Sequence, residues 1–269
     1  MTETTPSAII FDLDGTVYLS DRLIPGAKQV IADLRAKDIE IRFLTNKAID
    51  RRQDYRDKLN DLGIPVSLDD VVNSGWVTAR YLSRNYPDRR ALVIGEEPLV
   101  SELEAAGIET TTDEPASMVV ASMDRTFTYE KLDLALKTLT DDTPFVATNP
   151  DRTCPVADGE IPDAAGMIAA IEAVTGHSLD AMLGKPSATM AETILADLAV
   201  DPEHCLMVGD RPETDIAMGN QAGMQTALVL SGVTDRQDLD NLADQPDAVL
   251  ESIADLPSLF DPLQVMTDE

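Results

Sequence analysis

Cations, cysteines, histidines, aromatics and long apolar runs are all scarce in this 269-residue chain. Lysine and arginine total 21 against 49 aspartates and glutamates, a formal net charge of -28. Such a balance argues against binding nucleic acid or an anionic membrane surface. Because the acids interleave with apolar periodicity instead of forming one block, they read as a solvated surface suited to high salt, and a halophilic source is expected. Only two cysteines are present, Cys154 and Cys205. Neither has a partner motif, so a disulfide framework or thiolate zinc site is not expected and both read as small apolar fillers. His177 and His204 are likewise isolated. No apolar run approaches the roughly 20 residues that span a bilayer, and Met1 to Ser7 lacks a basic start and an apolar core, so the expected location is the cytoplasm.

What is present is regular alternation. Ala8 to Phe11 reads as a buried strand, Pro25-Gly26 opens a helical pattern through Ile31 and Leu34, and Ile39 to Leu44 is a second strand, which makes a βαβ unit. An amphipathic stretch from Asp50 to Leu62 and a helix from Trp76 to Leu82 follow. The alternation resumes late in the chain with helix Ser187 to Leu198, strand Cys205 to Val208, helix Glu213 to Ala222 and strand Thr226 to Leu230. This order predicts an α/β fold with a mostly parallel, doubly wound sheet. Asp235 onward reads as a last helix at Leu239 to Leu242, a short strand near Ala248 to Leu250 and a weakly ordered end.

The intervening stretch has its own elements, strands Ala91 to Ile94 and Met118 to Ala121 and helices Leu99 to Ala106 and Tyr129 to Leu139. That is too much for one crossover. Residues 84–177 are therefore expected to form an inserted domain, with 1–83 and 178–269 as a discontinuous core.

Four clusters stand where strands of the expected sheet would deliver them to its carboxyl edge, the edge that binds ligands in open α/β sheets. Asp12-Leu13-Asp14-Gly15-Thr16 ends the first strand. Alternation turns Asp12 and Asp14 the same way and Leu13 back into the core. Two carboxylates so close repel unless a proton or cation lies between them, although Asp-Gly also makes ordinary turns. Thr45-Asn46 offers a hydroxyl and an amide suited to phosphate oxygens, or to capping a helix. Gly184-Lys185-Pro186 places an ammonium before a helix-opening proline, where it neutralises an anion or simply faces water. Val208-Gly209-Asp210-Arg211 puts Asp210 at a strand end and Asp215 in the first turn of the next helix, where an acid also favours the helix dipole.

In this order the four clusters resemble the haloacid dehalogenase-like (HAD) superfamily, and the match spans nearly the whole chain. Thr214-Asp215-Ile216, Ala222-Gly223, Leu230-Ser231-Gly232-Val233-Thr234 and Thr148-Asn149-Pro150-Asp151 resemble its subfamily IIA, the NagD-like or nitrophenylphosphatase branch. The resemblance implies a Rossmann-like core with an inserted α/β cap of the C2 type between the second and third motifs. It implies Asp12 as nucleophile forming an aspartyl-phosphate, and Asp14 as acid and then base. Thr45, Asn46 and Lys185 would bind the phosphoryl oxygens. Mg²⁺ would be held by Asp12, the backbone carbonyl of Asp14, and Asp210, with Asp215 orienting a metal-bound water or Lys185.

The implied activity is hydrolysis of small phosphate monoesters, including sugar, polyol or nucleotide phosphates, with nitrophenyl phosphate as an artificial substrate. The alternatives are a dedicated phosphoglycolate or glycerol-phosphate phosphatase and, from another class, a non-catalytic phosphate sensor. The resemblance further implies a small-molecule partner and association of copies through the cap. Two departures stand out: Lys47 where relatives often carry a second asparagine, and Ser20-Asp21 where a glycine is common. Lys47 either adds a cation beside the phosphate or faces solvent.

Overall fold

The computed structural model describes residues 5–156 and 159–260. The first four residues of the Met1 to Ser7 segment, and the end of the tail beyond Phe260, lie outside the described residues. Among the described residues, no helix is long and apolar enough to cross a membrane.

The chain divides into two compact units. The first comprises residues 1–45, 55–72 and 194–269. Its six-stranded sheet runs in the order Ala248–Leu250, Gln225–Val229, Cys205–Gly209, Ala8–Asp12, Glu40–Thr45 and Val71–Asn73. The pairs of Ala8–Asp12 with both neighbours, and of the strands beyond Cys205–Gly209, are parallel. A central strand of a parallel sheet, covered on both faces, reads as an unbroken apolar run, and Ala8–Asp12 is buried at every residue. Register then sets the edge: Phe11 lies opposite Val208, and Asp12 opposite Leu44.

Helix Ala27–Arg35 buries Ala27, Val30, Ile31 and Leu34, an i, i+3, i+4, i+7 stripe. These join Ile9, Phe11, Leu13 and Phe43 in one apolar cluster. Phe11 and Phe43 stack with centroids 6.2 Å apart. Removing either ring costs about 3–5 kcal/mol. Leu13 is fully buried, as alternation requires.

The second unit comprises residues 46–54 and 73–193, and residues 84–177 lie wholly within it. Its five-stranded sheet has the order Ala181–Met182, Phe145–Ala147, Met118–Ala121, Ala91–Ile94 and Thr110–Thr111, all parallel. Its faces bury two apolar clusters, one including Leu82, Leu99, Leu103 and Val120, the other Ala135, Phe145, Ile168 and Ile171.

Several elements differ from the sequence expectation. Helix Ala164–Thr175, opened by Asp163 accepting the Ala164 N–H, is so apolar overall that it shows little periodicity to read. The hairpin of Thr153–Val156 with Gly159–Pro162, and strands Val71–Asn73 and Phe145–Ala147, are too short to announce themselves. The expected last helix is a 3₁₀ segment, Arg236–Asn241, and a second one, Ile253–Leu259, follows where a weakly ordered end was expected. The expected helix Glu213 to Ala222 begins as a π turn, Pro212–Ile216, and becomes α only at Ala217–Ala222. Between strands Tyr18–Leu19 and Arg22–Leu23, Ser20 takes a φ of 51°, the left-handed region that favours glycine.

Candidate active site

Three neighbouring parallel strands of the first unit carry candidate residues to their carboxyl ends. Asp12 ends one strand, Thr45 the next, and Asp210 follows Cys205–Gly209. Carboxylate oxygens of Asp12, Asp210 and Asp215 all lie within 4.8 Å of one another, and all three residues are buried. Asp14 is half-buried and bridges to Tyr18, while the Gly15 N–H donates to the Tyr18 carbonyl at 2.8 Å, closing the loop after the strand.

Two glycines let this cluster close. Gly15 has a φ of 84°, and a Cβ there would lie 2.3 Å from Asp210 Oδ2; a Cβ on Gly232 would lie 1.9 Å from the same oxygen. No side chain fits either place. The segment Ser231 to Thr234 holds Asp210 from its other side. Val233 N–H donates to Asp210 Oδ2 at 2.8 Å, Thr234 Oγ1 donates to the Asp210 carbonyl at 2.6 Å, and Ser231 Oγ donates to the Gly15 carbonyl at 2.7 Å. Sequence reading gave this segment no role. Its signal was a Ser-Gly pair just past strand Gln225–Val229, beside the strand that carries Asp210.

The π turn sets Asp215. Pro212 opens it, Asp215 N–H and Ile216 N–H both reach the Arg211 carbonyl, and Arg211 N–H donates back to Asp215 Oδ2 at 3.1 Å. The wider winding folds the carboxylate back toward Asp210, a use of π turns common at functional sites. Asp215 thus stands among the ligand-capable carboxylates as well as where it could orient a neighbour.

Three buried carboxylates at this spacing repel one another unless a proton or a cation lies among them. An all-oxygen, anionic donor set fits a hard divalent cation.

The second unit carries the other two expected residues. Lys185 follows Ala181–Met182, and that strand pairs with Phe145–Ala147, so the Gly184-Lys185-Pro186 segment extends the second sheet and not the first. Short pairing with a strand of its own unit outweighs its distance in sequence from the insert. Lys185 is 4% exposed. Its N–H donates to Asn46 Oδ1 at 2.7 Å, and Asn46 Nδ2 donates to the Lys185 carbonyl at 3.1 Å and to Asp151 Oδ2 at 3.0 Å. The Asn46 side chain, expected to donate to phosphoryl oxygens, therefore has both amide hydrogens and its oxygen engaged within the protein.

Gly184 is required here too, since a Cβ would lie 2.3 Å from the Thr148 carbonyl oxygen and 2.7 Å from Asn46 Oδ1. Thr148-Asn149-Pro150-Asp151 continues this network: Asn149 Nδ2 donates to Asp151 Oδ2 and to Asp163 Oδ1, each at 3.0 Å. Burial raises the Asp163 pKa; the Asn149 and Ala164 hydrogen bonds and the charge of half-buried Lys47 oppose that rise.

Known proteins share this pattern. The sequence pattern of the haloacid dehalogenase-like hydrolases matches residues 9–109, and that of the HAD-hydrolase-like family matches residues 182–256. The sugar-phosphatase AraL of Bacillus subtilis is 39% identical over 96% of this chain and 94% of its own length. The chain belongs to the HAD-like hydrolases. Within that family, the structure of a 4-nitrophenylphosphatase from Thermotoga maritima superposes with a TM-score of 0.90 at 36% identity, covering 95% of this chain and 97% of that one. NagD of E. coli superposes with a TM-score of 0.86 at 29% identity, covering 93% and 98%. This HAD-like chain therefore sits in the NagD-like, nitrophenylphosphatase branch.

Proposed function

We propose that this HAD-like protein is a Mg²⁺-dependent phosphatase of small phosphate monoesters, with sugar phosphates as the leading substrate class and nitrophenyl phosphate as an artificial one. The observation that carries the reading is the triad of buried carboxylates Asp12, Asp210 and Asp215 past the ends of strands Ala8–Asp12 and Cys205–Gly209, with Asp210 packed against Gly15 and Gly232. The similarity to AraL over nearly the full chain supports sugar phosphates.

Asp12 attacks phosphorus as the ester oxygen departs, forming an aspartyl-phosphate. Asp14 gives its proton to that leaving oxygen. Asp14 then takes a proton from the water that attacks the aspartyl-phosphate, releasing inorganic phosphate and restoring Asp12. Asp12, the Asp14 backbone carbonyl and Asp210 are the residues to hold Mg²⁺, with Asp215 at their side. When bound, the cation offsets the repulsion between the Asp12 carboxylate and an anionic phosphate. Thr45 and Lys185 donate to the phosphoryl oxygens, and Asn46 serves them by holding the Lys185 backbone. Loss of one such donor costs about 3 kcal/mol of transition-state stabilisation, by analogy with oxyanion-hole donors. Residues 84–177 act as the cap that selects the leaving group.

The test is phosphate release from a panel of sugar, polyol and nucleotide phosphates, with Mg²⁺ or with EDTA, for the native protein and Asp12→Asn. Release that needs Mg²⁺ and falls at least a thousandfold in D12N is expected. A folded D12N protein with native turnover would overturn the mechanism, and silence of the native protein across the panel would turn the reading toward a phosphate sensor.

A further inference from the structure

The Asn46 side chain meets Lys185 as a neighbouring strand would, with its oxygen on the Lys185 N–H and its amide nitrogen on the Lys185 carbonyl. This pairing works in one orientation only. Turned over, the amide would set an NH₂ against the N–H and an oxygen against the carbonyl, losing both bonds. Asp151 adds a third contact that holds the same orientation. A carboxylate oxygen only accepts, so the end of Asn46 that faces Asp151 Oδ2 at 3.0 Å must be the NH₂.

Asp151 is itself held in place. The same Oδ2 accepts from Asn149 Nδ2 at 3.0 Å, and the Asp151 carbonyl accepts from Ala165 N–H at 3.0 Å. Asn149 is 1% exposed and also donates to Asp163, which caps helix Ala164–Thr175. A line of polar groups, buried except for half-buried Asp151, thus runs from a helix N-terminus through Asn149 and Asp151 to Asn46 and the backbone of Lys185.

We propose that Asp151 is a positioning residue for phosphoryl transfer: by anchoring the Asn46 amide in the orientation that pairs with Lys185, it steadies the backbone that carries Lys185. The inference rests on the phosphatase reading, in which Lys185 binds the phosphoryl oxygens. It assigns to the Thr148-Asn149-Pro150-Asp151 segment a role in the chemical step, distinct from any contact with the leaving group.

The test is a double-mutant cycle on turnover of 4-nitrophenyl phosphate with Mg²⁺, with thermal unfolding of every variant recorded. Asp151→Ala lowers kcat/KM about tenfold or more in the native background and less than twofold in Asn46→Ala, because without the amide there is nothing left to orient. Asp151→Asn, whose oxygen can accept from both amides, recovers most of the loss. Additive losses, or native turnover in D151A, would overturn the proposal. If D151A does not fold, Asp151→Glu enters the same cycle, where non-additivity again supports the proposal and additivity overturns it. Failure of the phosphatase reading is seen separately, as native turnover in D12N.

Discussion

Both units present polar residues at the carboxyl edge of a parallel sheet, yet the two edges are built on opposite plans. At the first, Asp12, Asp210 and Asp215 bring like charges together, and glycines 15 and 232 remove the side chains that would keep Asp210 away. At the second, donors and acceptors match: Asn46 with Lys185 and Asp151, Asn149 with Asp151 and Asp163. An edge of unbalanced charge stores a demand that a cation satisfies. An edge of matched hydrogen bonds is complete and rigid, and it serves by holding something else in place.

The comparison is broken most severely at Gly232. Gly232→Ala drives a Cβ toward Asp210 Oδ2, and the carboxylate must move. A displacement of about 1 Å costs roughly a hundredfold in rate. Turnover is expected to fall by about that factor, and Mg²⁺ binding measured by calorimetry should weaken with it. An alanine variant with native Mg²⁺ affinity would show that the cluster is not held by this loop.

Gly184→Ala tests the second edge. Its Cβ meets a backbone carbonyl that cannot turn aside, so overpacking should lower stability by about 1–3 kcal/mol. The expected loss in turnover is about tenfold, with the Mg²⁺ concentration for half-activation unchanged, because no carboxylate of the acid cluster is touched. A shift in that concentration would erase the distinction between the edges.

The smallest effect separates local electrostatics in the second unit from catalysis. Arg125 holds the Glu96 carboxyl below its ordinary value of 4.5 through a charged side-chain hydrogen bond. A carboxyl depressed in the fold contributes stability above its unfolded value, and that contribution is lost as pH falls from 4.5 through the folded value. Glu96→Gln is thus expected to lower stability by about 1 kcal/mol or less at pH 7, since Arg125 is largely exposed. Denaturant unfolding across pH should show the native and Gln curves converging below pH 4.5, with turnover unaltered. Parallel curves would mean the pair adds nothing.

Much of the first unit was legible in sequence because its signals are local. An apolar run ending in Asp-x-Asp-Gly is a strand tip whatever surrounds it, and the 3.6-residue stripe of Ala27–Arg35 names its own buried face. The residues after strands 8–12, 40–45 and 205–209 could be grouped from order alone, because a parallel α/β sheet sends each strand end to one edge. The second unit was less legible. Strands of two or three residues carry too few side chains for a period to show, and helix Ala164–Thr175 is too uniformly apolar to mark a face.

By itself, the sequence determined the alternating α/β pattern, the charge and the residue types that meet at the acid cluster, since each depends on short stretches of chain. Only the tertiary structure decided that Ala181–Met182 joins the second sheet, that Gly15 and Gly232 close on Asp210, that a π turn folds Asp215 back, and that the Asn46 amide pairs with the Lys185 backbone and with Asp151. Apart from the π turn, each of these is a contact across many residues of chain, set by strand register and by which way a hydrogen-bonding group must face once water is excluded.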